Sequence, residues 1–363
     1  FVFHLLTRSG RIDYGNLRLR DPYLIEEVDR WFAHKAGAPD ELRIAPPPSF
    51  ARFETRGVVL DNRLVVAAAP CEDAVEGVPG TEHLSDLRSA LRSGAGLVLT
   101  DEVAVSAHAR ITPGDAGLWD KSQAEAWSRA LEGRVARAGV RLNHSGRRGA
   151  TRPRGGGLDR PLVGDGWRLL APSALAYGAN AVPFAMSEPS FEHVKEDFVA
   201  AAGRALQAGF DLVVLEMARG YLLGSFLSPV VNRRDDSHGG SLGNRARWPL
   251  EVFDAVREAW PGPLAVSVCA TDWERGGTAL EEAIAFVRWL KERGCDLVEV
   301  TAGQTTPKSG LRLDPYYLTL YSERIRNECG IRTLVGGEVT TVDRANTIVG
   351  GARADLCLVR VGR

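Results

Sequence analysis

A chain of 363 residues is long enough for one large domain with a small appendage, or for two modest domains. Hydrophobic residues make up 44% and charged residues 25%, with a formal net charge of −1, so no global field attracts nucleic acid or an anionic membrane. No apolar run approaches the ~18 residues of a membrane span, no secretory leader pattern is visible, and the five scattered cysteines lack the spacing of a zinc site or disulfide scaffold. The expectation is a cytoplasmic protein with reduced thiols, no metal, and neither a nucleic-acid nor a membrane partner. The chain opens on Phe1 rather than methionine, so further residues upstream are expected.

In chain order, residues 1–33 read as a loop followed by a short amphipathic helix with Leu24, Ile25, Val28, Trp31 and Phe32 on one side. Residues 34–49 read as a linker ending in Pro46, Pro47 and Pro48, which favour extended polyproline structure. A pattern of alternation follows. Short apolar runs typical of buried parallel strands occur at 64–69, 96–100, 139–143, 211–216, 263–268, 296–301, 332–336 and 354–359. Helical periodicity occupies 122–138, 191–209, 246–260, 278–293, 316–328 and 341–350. Eight strands with intervening helices predict a (β/α)8 TIM barrel over 50–363, an α/β fold with a short N-terminal appendage. A doubly wound sheet is the alternative, but no GxGxxG follows the first strand. The last strand ends near Val359, four residues before the final Arg363, so the barrel is expected to lack its last helix.

The chemistry concentrates where the run DLVVL opens into LEMARGYLLGSFLSP. Glu216 and Arg219 stand at i and i+3 beside Tyr221, at a strand end of the kind where barrels keep their active sites. The segment GYLLGSFLSPVVNRRDDSHGGSLGNRARWPLEVFDAVR (220–257) closely resembles a block of the old yellow enzyme family of FMN-dependent oxidoreductases. RITPGDAGLWD (110–120), HSGRRG (144–149), TAGQT (301–305) and ARADLCLVR (352–360) extend the resemblance across roughly residues 50–363. A narrower likeness joins the opening residues, similar to the end of a flavin monooxygenase domain, to this barrel. In that respect the chain resembles bifunctional salicylyl-CoA 5-hydroxylases and 2-aminobenzoyl-CoA monooxygenase/reductases.

The resemblance implies FMN as cofactor, NAD(P)H as reductant, and an aromatic or dienone substrate, possibly a CoA thioester. It also implies a flavin monooxygenase domain upstream and a homo-oligomer. In the family, two histidines, or a histidine and an asparagine, polarise the substrate oxygen. Here those positions hold Glu216 and Arg219, while the proton-donating tyrosine is kept as Tyr221. His144 matches a family histidine near the flavin, though a loop-end histidine also serves local hydrogen bonding. At the flavin, the resemblance puts Ala69, Pro70 and Cys71 at the first strand end. Arg141 and Ser267 take the places of a glutamine and an arginine at the pyrimidine edge. Gly336, Gly337, Val359 and Arg360 match the phosphate cradle. Cys71 has a redox-tuning role as one reading. The arginine-rich loop with Arg147, Arg148, Arg152 and Arg154 reads as solvated surface or as a partner for nucleotide phosphates. The competing functional reading is a barrel without productive flavin, working by acid/base chemistry or as a structural partner of a monooxygenase.

Overall fold

In the computed structural model, residues 21–35, 46–157, 159–162, 164, 166–308, 317–337 and 339–360 are described. The expected opening loop and most of the proline linker therefore lie outside the described residues. Helix α1, Pro22–Lys35, buries Ile25, Asp29 and Ala33 and leaves Leu24 and Trp31 exposed, so its inward stripe is narrower than the expected apolar side. The side chain of Phe32 is not among those described. Pro47 is extended, as a proline run favours, but Pro48–Phe50 forms a helical turn. The turn is anchored through buried Ser49, whose N–H and Oγ donate to Asn346 Oδ1 at 3.0 and 2.7 Å.

An antiparallel hairpin follows, β1 (Phe53–Thr55) and β2 (Val58–Leu60), which the apolar pattern alone did not reveal. The strands β3 (Leu64–Ala67), β4 (Leu97–Ala104) and β5 (Arg137–Asn143) come next. Two short strands, β6 (Leu170–Ala171) and β7 (Phe184–Ala185), pair with each other in an excursion from the barrel. The remaining barrel strands are β8 (Leu212–Met217), β9 (Leu264–Cys269), β10 (Leu297–Thr301), β11 (Arg332–Val335) and β12 (Leu356–Leu358). All eight expected barrel strands are present, and they close: β12 pairs with β3 in parallel, Cys357 opposite Leu64. The fold is a (β/α)8 barrel.

Every expected helix is found. The first ends early, at Leu131, because Gly133 adopts φ +65 and turns the chain back into β5. Three helices among the described residues were not anticipated: Thr81–Leu91 after β3, the four-residue Arg154–Gly157, and the six-residue turn Leu222–Leu227 after Tyr221. Among the described residues no helix is long and apolar enough to cross a membrane.

Two apolar layers hold the barrel together. The outer one packs strand faces against the helices through residues such as Phe198, Phe253 and Phe286. The inner one fills the lower barrel with Val65, Leu97, Leu99, Leu212, Val214, Ala265, Leu297, Leu334 and Leu356, closed below by Phe53 and Leu60 of the hairpin. Alternate residues of a strand share a face, so this inner set fixes which side chains line the next layer up. They are Arg141, Glu216, Ser267 and Glu299 on one side, and Gly336, Leu358 and Ala67 on the other. One irregularity interrupts the pattern: β4 slips by one residue against β5 between Leu99 and Glu102, and Glu102 ends opposite Arg141.

Candidate active site

The charged layer forms one connected network. Arg141 Nη1 binds Glu299 Oε2 and lies 3.4 Å from Glu216 Oε2. Arg219 Nη1 binds the same Glu216 oxygen and reaches Ser267 Oγ at 3.3 Å, while its Nη2 donates to Glu299 Oε1 at 2.9 Å. The second oxygen of Glu216 accepts the Ala218 N–H at 3.0 Å. Glu216 and Arg219 therefore do converge with Arg141 and Ser267 at the barrel mouth, as a wider cluster than an isolated ion pair. Its fourth charged member, Glu299, was not singled out from the sequence. The available signal was parity: if Leu297 faces inward, so does Glu299, and an acid there needs a partner.

The two carboxyls are not equivalent. Burial pushes the Glu216 carboxyl up, and the opposing pull of Arg219 and Arg141 does not fully cancel it. Burial also works against Glu299, but both arginines outweigh it and hold its carboxyl below the usual range. Nearby, burial and the adjacent Glu102 keep Asp101 well above the carboxylate range. Burial opposes ionisation of Glu102 too, yet the Asp101 hydrogen bond, Arg219 and Arg141 bring it to about 2.

Tyr221 is buried next to this network, and burial together with Glu102 raises its phenol well above the normal range. Arg148 sits 5.2 Å from the Tyr221 ring and 4.4 Å from that of Tyr177. It pairs with Asp159 through both oxygens at 3.0 Å and donates to the Arg219 carbonyl at 2.6 Å. That contact supports an unusual backbone, since Arg219 has φ +55 and Gly220 φ +72.

His144 is buried, and its Nδ1 accepts the Gly146 N–H at 3.1 Å. Burial pulls its pKa to about 3, so the ring is neutral and the local hydrogen-bonding reading describes its contacts. The arginine-rich loop departs from its reading as solvated surface. Arg147 is buried against the carbonyls of Leu175, Ala176 and Thr305, and Arg154 pairs with Glu72, Asp101 and Asp115. These cations turn inward because acids and carbonyls of neighbouring loops lie within reach; Arg147 is buried and Arg154 half-buried.

The opposite rim is small and open. Ala67 and Pro70 are exposed, with Ala69 and Cys71 half-buried; the Ala69 N–H donates to Asp86 at 2.6 Å. Burial and the surrounding acids push the Cys71 thiol up to about 11, so it stays protonated. Gly336 is buried, Gly337 and Val359 are half-buried, and Arg360 is exposed. A methyl on Gly337, where φ is +98, would lie 3.3 Å from the Tyr317 ring. The Arg360 N–H donates to Val339 O at 2.9 Å, which ties the last strand end to the glycine loop.

A family model described as NADH:flavin oxidoreductase / NADH oxidase matches residues 50–358. The chain belongs to this family. The NADPH dehydrogenase of Listeria welshimeri is 35% identical to this flavin oxidoreductase over 317 residues, covering 85% of this chain and 89% of that one. An NADH:flavin oxidoreductase of Gibberella zeae is 34% identical over 339 residues, covering 86% and 81%. Among solved structures, morphinone reductase in complex with tetrahydroNAD superposes with a TM-score of 0.68 at 25% identity, covering 86% of each chain. A 2-naphthoyl-CoA reductase superposes with a TM-score of 0.77 at 22% identity, covering 86% of this chain. The flavin oxidoreductase spans half of that longer chain. Membership makes this an enzyme of the old yellow enzyme type, with FMN as cofactor and NAD(P)H as reductant.

The residues present fit such a cofactor. Arg141 is only 4% exposed, and among the described residues its Nε and Nη2 have no hydrogen-bond partner. Nitrogens of this kind suit the carbonyl oxygens along a flavin's pyrimidine edge. On the other rim, Gly336 and Gly337 pack close to Leu358 and Tyr317, and Ala67 is exposed.

Proposed function

We propose that this flavin oxidoreductase reduces an activated double bond or ring of an aromatic or dienone substrate, carried as a CoA thioester. The observation that carries the reading is the Glu216–Arg219 pair. It offers one forked cation where the family resemblance implies two carbonyl donors, which suits an oxygen that gathers much negative charge as hydride arrives. The fold likeness to 2-naphthoyl-CoA reductase supports the substrate class. When bound, FMN supplies the hydride and NAD(P)H renews it.

The chain's own groups divide the remaining work. Arg219 hydrogen-bonds the substrate oxygen through Nε, which has no partner among the described residues, while Glu216 and Glu299 hold its other nitrogens. Tyr221 remains protonated at any working pH and gives its phenolic proton to the substrate carbon. His144 orients the loop that carries Arg147 and Arg148. Arg141 and Ser267 would meet the pyrimidine edge, Ala69, Pro70 and Cys71 would line the first-strand side, and Gly336, Gly337, Val359 and Arg360 would hold the phosphate. The likeness of the opening residues to a monooxygenase end supports a place beside a flavin monooxygenase domain.

The test is direct. The purified protein should carry flavin absorbance and should oxidise NAD(P)H anaerobically when given an aromatic CoA thioester or a dienone. A colourless protein that refuses added FMN would sink the proposal and favour the acid/base barrel instead.

A further inference from the structure

Glu299 gives each arginine of the charged layer its own oxygen, Arg141 through Oε2 and Arg219 through Oε1. It stands opposite Ser267 on β9 and Leu334 on β11, so it lies where the charged half of the rim gives way to the open half. It is 2% exposed, and solvent cannot screen it. Glu216 also touches both arginines, but through a single oxygen, and its other oxygen is taken by backbone. Without Glu299, that one carboxylate oxygen and the Ser267 hydroxyl would be left to aim two guanidinium groups in a dry layer.

From this geometry we infer that Glu299 is a positioning residue that sets both the aim of Arg141 and the net charge Arg141 presents, and thereby lowers the reduction potential of the flavin. The inference rests on the reading that Arg141 meets the pyrimidine edge. Reduction adds two electrons to the ring system and leaves negative charge at that edge, which a nearby cation stabilises. A carboxylate paired with the cation cancels much of the benefit. Ser267, which takes the place of the family arginine, adds no charge of its own. The result is a flavin held as a strong reductant, matched to substrates whose reduction is unfavourable, such as stabilised aromatic rings.

The test is a redox titration of the FMN-loaded protein, read from flavin absorbance without any substrate. Glu299→Gln keeps the shape of the side chain and removes its charge. It should shift the oxidised/reduced balance about tenfold toward the reduced form, about 30 mV for this two-electron couple. Glu299→Asp should restore a potential near the starting value, which a purely structural role would not require. Arg141→Gln should move the potential the opposite way, and this arm decides the matter if Glu299→Gln fails to fold. A Glu299→Gln protein whose potential is unchanged or lower overturns the inference while leaving the proposed activity standing. So does an Arg141→Gln protein whose potential does not fall. A protein that cannot be loaded with FMN overturns both.

Discussion

The two halves of the barrel rim are built on the same strand parity and carry opposite chemistry. From β5 to β10 the inward positions are Arg141, Glu216, Ser267 and Glu299, buried and mutually bonded. From β11 round to β3 they are Gly336, Leu358 and Ala67, which are small or apolar and leave Ala67 open to solvent. The first half can be specific but is intolerant of change, since every charge there has a buried counter-charge. The second can admit a ligand but contributes little beyond shape and backbone N–H groups. A site that needs both a rigid electrostatic wall and an accessible bay obtains them by dividing its rim.

The sharpest way to break that contrast is Arg219→Ala. It leaves Glu216 and Glu299 sharing Arg141 alone, and removing one partner from a buried network costs about 3–5 kcal/mol. Denaturant unfolding should register that loss, and native turnover should vanish even where the protein remains folded. Turnover that survives would reduce the pair to an ion pair filling an abandoned site.

Glu216→His replaces an acceptor with a donor at the same strand end. With FMN bound, reduction of simple enones should rise roughly a hundredfold, the ~3 kcal/mol attached to one oxyanion donor. Flat enone kinetics in a demonstrably yellow variant would mean the side chain does not face the substrate.

His144 tests how dry the charged side is. Its pKa is about 3 in the fold against 6.5 for the free side chain, so below pH 6.5 the unfolded chain holds a proton that the folded chain lacks. Its contribution is intact above pH 6.5 and is lost as pH falls toward 3, at about 1.4 kcal/mol per pH unit. His144→Asn should flatten the acid limb of the stability–pH curve, and an unaltered slope would show that another group titrates there.

The mildest effect is expected on the open side. Gly337→Ala places a methyl at φ +98 against Tyr317, for a cost of about 1–2 kcal/mol. Weaker FMN retention should accompany it in equilibrium dialysis. A variant with unchanged stability and flavin affinity would remove Gly337 from the cradle.

How much of this was readable beforehand follows the same division. The strands announced themselves because parallel strands buried on both faces are continuous apolar runs, and each expected run lies on an observed strand. The hairpin β1–β2 was hidden, since three-residue strands carry too little periodicity to stand out. Glu216, Arg219 and Arg141 were visible as charges where apolar or neutral residues were expected. Glu299 was passed over inside the run DLVEVT, although its distance of two from Leu297 contained the answer. The inward turn of Arg147 and Arg154 was not readable at all, because it depends on which distant loops fold over them.

The left-handed turn at Arg219 and Gly220 bears on how this pocket could change over evolutionary time. A backbone at φ +55 admits asparagine, aspartate, histidine or glycine with little strain and resists valine, isoleucine and threonine. Position 216, on an extended strand, carries no such filter. The backbone therefore favours a short alphabet at 219, two letters of which are neutral hydrogen-bond donors, whereas 216 is constrained by the buried charges its side chain meets. A lineage leaving the carboxylate–guanidinium pairing would find its shortest viable path through a substitution at 219 that the turn already accommodates.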